Sequence, residues 1–180
     1  MAQRRPQRIL VFVDESKAND YLLAASAVDS GDAAAMRKAV RDLVLPGQNR
    51  LHMAKESDTR RRQILDRIGD LPVATTIFRA PKDGRNEVER RARCVEALVM
   101  DFPDEAELSI CFERDETLVT RDRRQVLVAA HQSSRSVPHR HTTASDEPLL
   151  AIPDALAWAW ARGGPWRRRC PCTTERRPPV

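Results

Sequence analysis

Three acidic residues stand where they could act together on a metal ion. Asp14 directly follows an apolar run, Glu113 closes a later run of the same kind, and Asp154 is the one acid in a long apolar segment. A carboxylate buried alone is costly, and a group of carboxylates repels itself unless cations lie among them. Oxygen ligands suit Mg²⁺ or Mn²⁺, and two such ions can activate water and stabilise the leaving oxygen in phosphodiester hydrolysis. The pattern predicts a metal site of this kind.

Each of these acids also has a simpler interpretation. Asp14 could cap the turn after its strand, and Asp154 could cap a helix that starts at Ala155. The acidic stretch after Glu113 supplies two further candidate ligands, Asp115 and Asp122. Only the three strand-end and helix acids taken together favour the metal site over separate structural roles.

The elements that must position these acids follow from hydrophobic periodicity and turn residues. The sequence predicts strands over 8–15, 21–28, 73–80, 107–114 and 137–141, helices over 31–44, 58–69, 86–102, 121–131 and 148–162, and a short strand or extended segment over 50–56. The first two strands are joined by a short turn, which indicates an antiparallel hairpin. Helices and strands then alternate, so we expect an α/β three-layer domain with a mixed sheet and helices on both faces.

The length of 180 residues suits one domain, which we place over residues 8–164. Residues 1–7 read as a basic N-terminal extension, and residues 165–180 as a Pro- and Arg-rich tail that is expected to be disordered. The basic N-terminus leads straight into a strand, and no apolar run approaches the roughly 20 residues that span a bilayer. These features predict a cytoplasmic protein that does not enter a membrane.

The charge balance limits the class of partner. A net charge of +5 permits nucleic acid as a partner, whereas an aromatic content of 4% argues against a base-stacking platform. The sequence contains no Walker loop and no Gly-x-Gly-x-x-Gly motif, so a nucleotide cofactor is not expected. It also lacks the Gly-x-Ser-x-Gly elbow of serine hydrolases.

A resemblance to a known family adds to these observations. The segment FVDES (12–16) resembles the opening of the bacterial domain-of-unknown-function 3800 family, and LAIPDALA (150–157) is similar to the helix Leu-x-Ile-x-Asp-x-x-Ala near the end of its members. The middle segment LHMAKE (51–56) and the acid that ends the central strand also look similar. The resemblance covers about residues 8–164, with Lys17 standing where a glycine is more usual. It implies a ribonuclease H-like fold.

The resemblance also implies roles for individual residues. Asp14, Glu113 and Asp154 would be the catalytic, metal-binding acids, with Asp122 as a further ligand. The residues expected to contact substrate are Ser16, His52 and Lys55. A structural role without function stays the alternative for His52 and Lys55.

Two functions follow from the sequence as hypotheses. The first is a nuclease or related phosphodiester hydrolase that uses Mg²⁺ or Mn²⁺, with water as the nucleophile. The second is a non-catalytic module that binds nucleic acid or a protein partner on the same fold. Binding by the second would depend on salt and would be indifferent to loss of Asp14.

Overall fold

A six-stranded mixed sheet forms the centre of the computed structural model, which describes residues 7–179. The strands are, in chain order, β1 (Arg8–Ser16), β2 (Tyr21–Asp29), β3 (Ala74–Ala80), β4 (Glu107–Glu113), β5 (His139–Thr142) and β6 (Thr173–Arg176). Their order across the sheet is β5-β4-β1-β2-β3-β6. β1 pairs antiparallel with β2, and β2 antiparallel with β3, whereas β1–β4, β4–β5 and β3–β6 are parallel. The predicted hairpin and mixed sheet are confirmed.

Helices cover both faces of this sheet. They are α1 (Ala33–Arg41), α2 (Asp58–Gly69), α3 (Glu87–Met100), α4 (Val119–Gln132), α5 (Ala151–Arg162) and the short α6 (Gly164–Arg167). Residues of α1, α2 and α5 pack on one side, which we call the α5 face, and α3 and α4 pack on the other, the α3–α4 face. The predicted three-layer arrangement is therefore confirmed.

Side-chain alternation along β1 divides the core between the two faces. Phe12 packs on the α5 face, whereas Val11 and Val13 pack on the α3–α4 face. The same alternation carries on to the strand end, where Asp14 falls on the α5 face and Glu15 on the other. A single strand thus sends adjacent acids into two separate surroundings.

Local signals explain where the helices begin and end. Ser57 caps α2 by accepting a hydrogen bond from the Arg60 amide, and Asn86 forms a capping box with Glu89 at the start of α3. Helix α5 ends at Gly163, whose φ of 70° lies in the left-handed region that favours glycine. Helix α5 is buried along most of its length, which is why its sequence is apolar on nearly all sides. Among residues 7–179, no helix is long and apolar enough to cross a membrane.

The segment 50–56 differs from its predicted form. Residues Met53–Lys55 make one 3-10 turn, where a short strand or extended segment was expected. Met53 is fully buried, and its amide donates to a side-chain oxygen of Asp154 at 2.8 Å. This tertiary contact stabilises the turn, and it cannot be predicted from the local sequence.

The tail over residues 165–180 was expected to be disordered, whereas the structure shows a short helix and a strand within residues 164–176. After α6, the chain returns as β6, which pairs with β3 at the edge of the sheet. Glu175 in β6 accepts a hydrogen bond from Trp160 Nε1 at 2.7 Å and pairs with Arg79 at 3.5 Å. The composition of the tail indicated only a solvated segment, because composition does not show which charged side chains will find partners in the folded protein. The predicted basic extension over residues 1–7 lies outside the described residues, apart from Gln7.

Candidate functional site

Asp14 and Glu113 lie at or near the carboxyl ends of two neighbouring parallel strands, on the same face of the sheet. β1 and β4 pair with Val13 opposite Phe112, so the next residue of each strand is an acid. Phe12 and Cys111 pack on the α5 face two residues earlier, which places both acids on that face. Parallel strands bring their carboxyl ends to one edge of the sheet, and ligands of α/β folds commonly bind there.

Asp154 reaches the same region from α5, which packs across β1 and β2. One of its oxygens, Oδ2, accepts the Met53 amide at 2.8 Å and lies 3.4 Å from Nδ1 of His52. The hydrogen bond to Asp154 raises the pKa of His52, since the carboxylate favours the charged imidazole. His52 and the 3-10 turn therefore hold Asp154 in place.

The charges of these acids act on one another. Burial raises the pKa of Asp14 well above its ordinary value, and the nearby carboxylates of Asp154 and Glu113 raise it further. Asp14 is thus poorly tolerated as an anion when no cation is close. A proton or a metal ion would relieve this repulsion.

Glu113 is bound by an arginine. The guanidinium of Arg50 donates to its carboxylate in a close ion pair, with the Glu113 side chain 26% exposed. Within residues 7–179, no three His, Cys, Asp or Glu side chains are so arranged that they could hold a metal ion together. The chemistry of the three carboxylates fits Mg²⁺ or Mn²⁺. In this structure, however, one of the three carboxylates, that of Glu113, is already paired with the cationic side chain of Arg50.

The residues expected to contact substrate lie around these acids. Ser16 pairs with Leu22 at the end of β1, on the face that carries Asp14. His52 and Lys55 line a cavity of about 300 Å³. The other residues that line it are Gln48, Asn49, Arg50, Glu56 and Ser145. The structure thus brings the three candidate contacts to the same face as the acids, and their roles stay predictions.

Asp122, predicted as a further metal ligand, lies elsewhere. It is buried in α4 on the α3–α4 face, and both of its oxygens accept from the Arg91 guanidinium, at 2.7 and 2.9 Å. Oδ2 also lies 3.0 Å from Nε2 of His141. The sheet separates Asp122 from the other acids, so the prediction that it joins their site is wrong.

Asp115, the other acid of that stretch, makes a local turn. Its carboxylate accepts the Thr117 amide at 2.9 Å and the Thr117 hydroxyl at 2.6 Å, and these bonds lower its pKa. Its role is therefore to shape the loop before α4.

Sequence reasoning missed two arginines that determine the surroundings of the acids. Arg50 holds Glu113 across 63 residues of chain, and Arg91 joins Asp122 to Glu15 and to the Tyr21 hydroxyl. Neither arginine stands in a motif, and the sequence is rich in arginine. No signal in the sequence distinguishes these two from the solvated ones.

Comparisons with known proteins support the fold. No protein-family model matches the chain, and no curated protein matches it. A chain in the structure of the PCNA:RNase HII complex from Archaeoglobus fulgidus is similar, with a TM-score of 0.56, 14% identity, and coverage of 87% of this chain and 73% of that one. The Q54A mutant of Bst-RNase HIII has a TM-score of 0.51 and 15% identity over 85% of this chain. The structure of Bst-RNase HIII in complex with Mn²⁺ has a TM-score of 0.48 and 18% identity over 86% of this chain.

This chain spans about half the length of the two RNase HIII chains, 51% in each case, and the identities are low. The likeness therefore concerns the fold, and the resemblance to the domain-of-unknown-function 3800 family stays a prediction. The strand order, the opening hairpin and the similarity to RNase HII and RNase HIII together show that this chain has the ribonuclease H-like fold.

Proposed function

We propose that this protein is a metal-dependent nuclease or a related phosphodiester hydrolase. The observation that carries the proposal is the position of Asp14. It lies near the carboxyl end of a central strand of a ribonuclease H-like sheet, and Asp154 and Glu113 lie near enough to raise its pKa. Three acids that repel one another at a sheet edge are suited to hold cations. The similar structures are named as RNases, which favours nucleic acid as the substrate class.

Each residue of the site has a part in this proposal. Asp14 and Asp154 would hold Mg²⁺ or Mn²⁺, and Glu113 would complete the ligand set. The bound cation would supply Lewis-acid activation of water and stabilise the leaving oxygen. His52 and the Met53 amide would together orient the Asp154 carboxylate, because both contact its Oδ2 oxygen. Ser16 and Lys55 lie on the same side and would contact the substrate.

The decisive experiment is calorimetric titration with Mn²⁺. We expect the wild type to bind Mn²⁺, the double variant Asp14→Asn/Asp154→Asn to lose binding, and the exposed control Asp104→Asn to keep it. Cleavage of single-stranded RNA, an RNA–DNA hybrid and duplex DNA is then compared with Mg²⁺, with Mn²⁺ and with EDTA. Metal-dependent cleavage that Asp14→Asn leaves intact would show that the acids are assigned wrongly.

A second function is favoured by the pairing of Arg50 with Glu113. That pair neutralises one of the three acids, as expected if the fold serves as a nucleic-acid-binding module without chemistry. Such a module would bind an oligonucleotide through its basic surface, with affinity that falls as salt rises. Binding would be the same in EDTA and in Asp14→Asn, and no cleavage would appear with either metal.

A further inference from the structure

Arg50 lies between the carboxylate site and the neighbouring cavity. Its guanidinium is paired with Glu113, and the same residue lines the cavity of about 300 Å³ that also contains His52 and Lys55. The side chain is 35% exposed. Arg50 therefore has one partner in the site and open, polar space beside it.

The cavity favours an anionic ligand. Arg50 and Lys55 contribute positive charge to the lining, and His52 contributes an imidazole ring. The one acid in the lining, Glu56, is buried, accepts from Gln48 at 3.0 Å and lies 3.7 Å from Arg60. The lining also carries Asn49 and Ser145, whose side chains can donate hydrogen bonds. A phosphodiester group matches these donors in charge and in hydrogen bonding.

The ion pair between Arg50 and Glu113 is of a kind in which another anion can replace the carboxylate. Both side chains are partly exposed, and ion pairs with solvent access are weak. A phosphate offers two oxygens to the planar guanidinium of arginine, and this bidentate contact is among the stronger charge-assisted hydrogen bonds. Removal of Arg50 would leave the Glu113 carboxylate without its cationic partner, on the sheet face that also carries Asp14.

We propose that Arg50 exchanges Glu113 for a backbone phosphate of the nucleic acid, and that this exchange releases Glu113 to the cation. The inference rests on the proposed function and specifies how its site is completed. The substrate then takes part in assembling the metal site. Because linkage is reciprocal, phosphate in the cavity and the cation at the acids each strengthen the binding of the other.

The variant Arg50→Gln separates the two partners of this residue. Without nucleic acid, it should bind Mn²⁺ roughly tenfold more tightly than the wild type, because Glu113 is free. In EDTA, it should bind a fluorescent oligonucleotide roughly tenfold more weakly, with a salt dependence reduced by about one phosphate contact. A purely structural role for Arg50 would not move the two affinities in opposite directions.

Two further variants complete the design. Arg41→Gln removes an exposed positive charge at the end of α1, near Arg50, and should leave the Mn²⁺ affinity unchanged. In Arg50→Gln/Glu113→Gln, the gain in Mn²⁺ affinity should disappear, because it depends on the released carboxylate.

The outcomes distinguish this inference from the proposed function. Equal Mn²⁺ affinity in the wild type and Arg50→Gln would overturn the exchange and leave the metal site standing. Unchanged oligonucleotide binding in Arg50→Gln would also overturn it. If no variant bound Mn²⁺, even with oligonucleotide present, both the exchange and the proposed function would fail.

Discussion

Asp14 and Glu15 are consecutive in β1, and their carboxylates face opposite sides of the sheet. Asp14 lies with Asp154 and Glu113 on the α5 face, whereas an oxygen of Glu15 accepts from Arg91 at 2.5 Å on the α3–α4 face. The first acid has like charges near it and the second has a buried cation. The end of β1 thus contributes one acid to a group of carboxylates that repel one another, and the next acid to a network in which a buried arginine balances the negative charge.

Asp14→Asn should stabilise the metal-free protein at neutral pH by about 0.5–2 kcal/mol, the usual range for a stabilising substitution. The folded-state pKa of Asp14 is raised, so the folded protein binds this proton more readily than the unfolded chain does. Its contribution to stability is therefore full below the ordinary pKa and is lost as pH rises through the raised value. Asparagine does not ionise, so the variant keeps the stability that the wild type loses as the pH rises. Thermal unfolding in EDTA across a pH series measures the effect.

Asp104→Asn is the control for this experiment and should unfold like the wild type at each pH. The advantage of Asp14→Asn should also shrink as the pH falls to the ordinary pKa of aspartate. A variant no more stable than the wild type at neutral pH would contradict the repulsion described for the three acids.

Asp122→Ala should be strongly destabilising. It would leave Arg91, which is 6% exposed, as a buried cation without its bidentate partner, and breaking one side of such a pair costs about 3–5 kcal/mol. Equilibrium denaturation measures this loss. Arg123→Ala, an exposed change on the same helix, should alter the free energy of unfolding by no more than about 0.5 kcal/mol.

Deletion of residues 171–180 should destabilise the protein by ~2 kcal/mol, because it removes the ladder bonds of β6 and the partner of Trp160. Deletion of 178–180 alone leaves β6 intact and should have little effect. Chemical denaturation of both truncated forms provides the comparison. Equal stability of the two would mean that β6 adds nothing to the sheet.

The strand-end acids could be predicted because their signals are local. The alternation of β1 and the apolar run of β4 each end in an acid, and parallel strands align such ends at one edge. Asp154 could be predicted for a similar reason, since one acid interrupts the buried surface of α5. These inferences needed only periodicity and the cost of burying charge.

The partners of those acids could not be predicted. Asp122 and Arg91 are 31 residues apart, and Arg50 and Glu113 are 63 apart, so each pair depends on the packing of whole elements. The composition of the tail misled in the same way. Its arginines indicated solvent, whereas Glu175 meets Trp160 and Arg79 once the sheet has formed.

The placement of Asp14 and Asp154 has a consequence for the order of synthesis. β1 leaves the ribosome before α5, which follows four other helices and five strands of this fold. A nascent chain that lacked α5 would have Asp14 without its partner, and an uncovered apolar surface over β1 and β2. The proposed cleavage activity would then be withheld from unfinished chains, and its appearance would mark the completion of synthesis through α5.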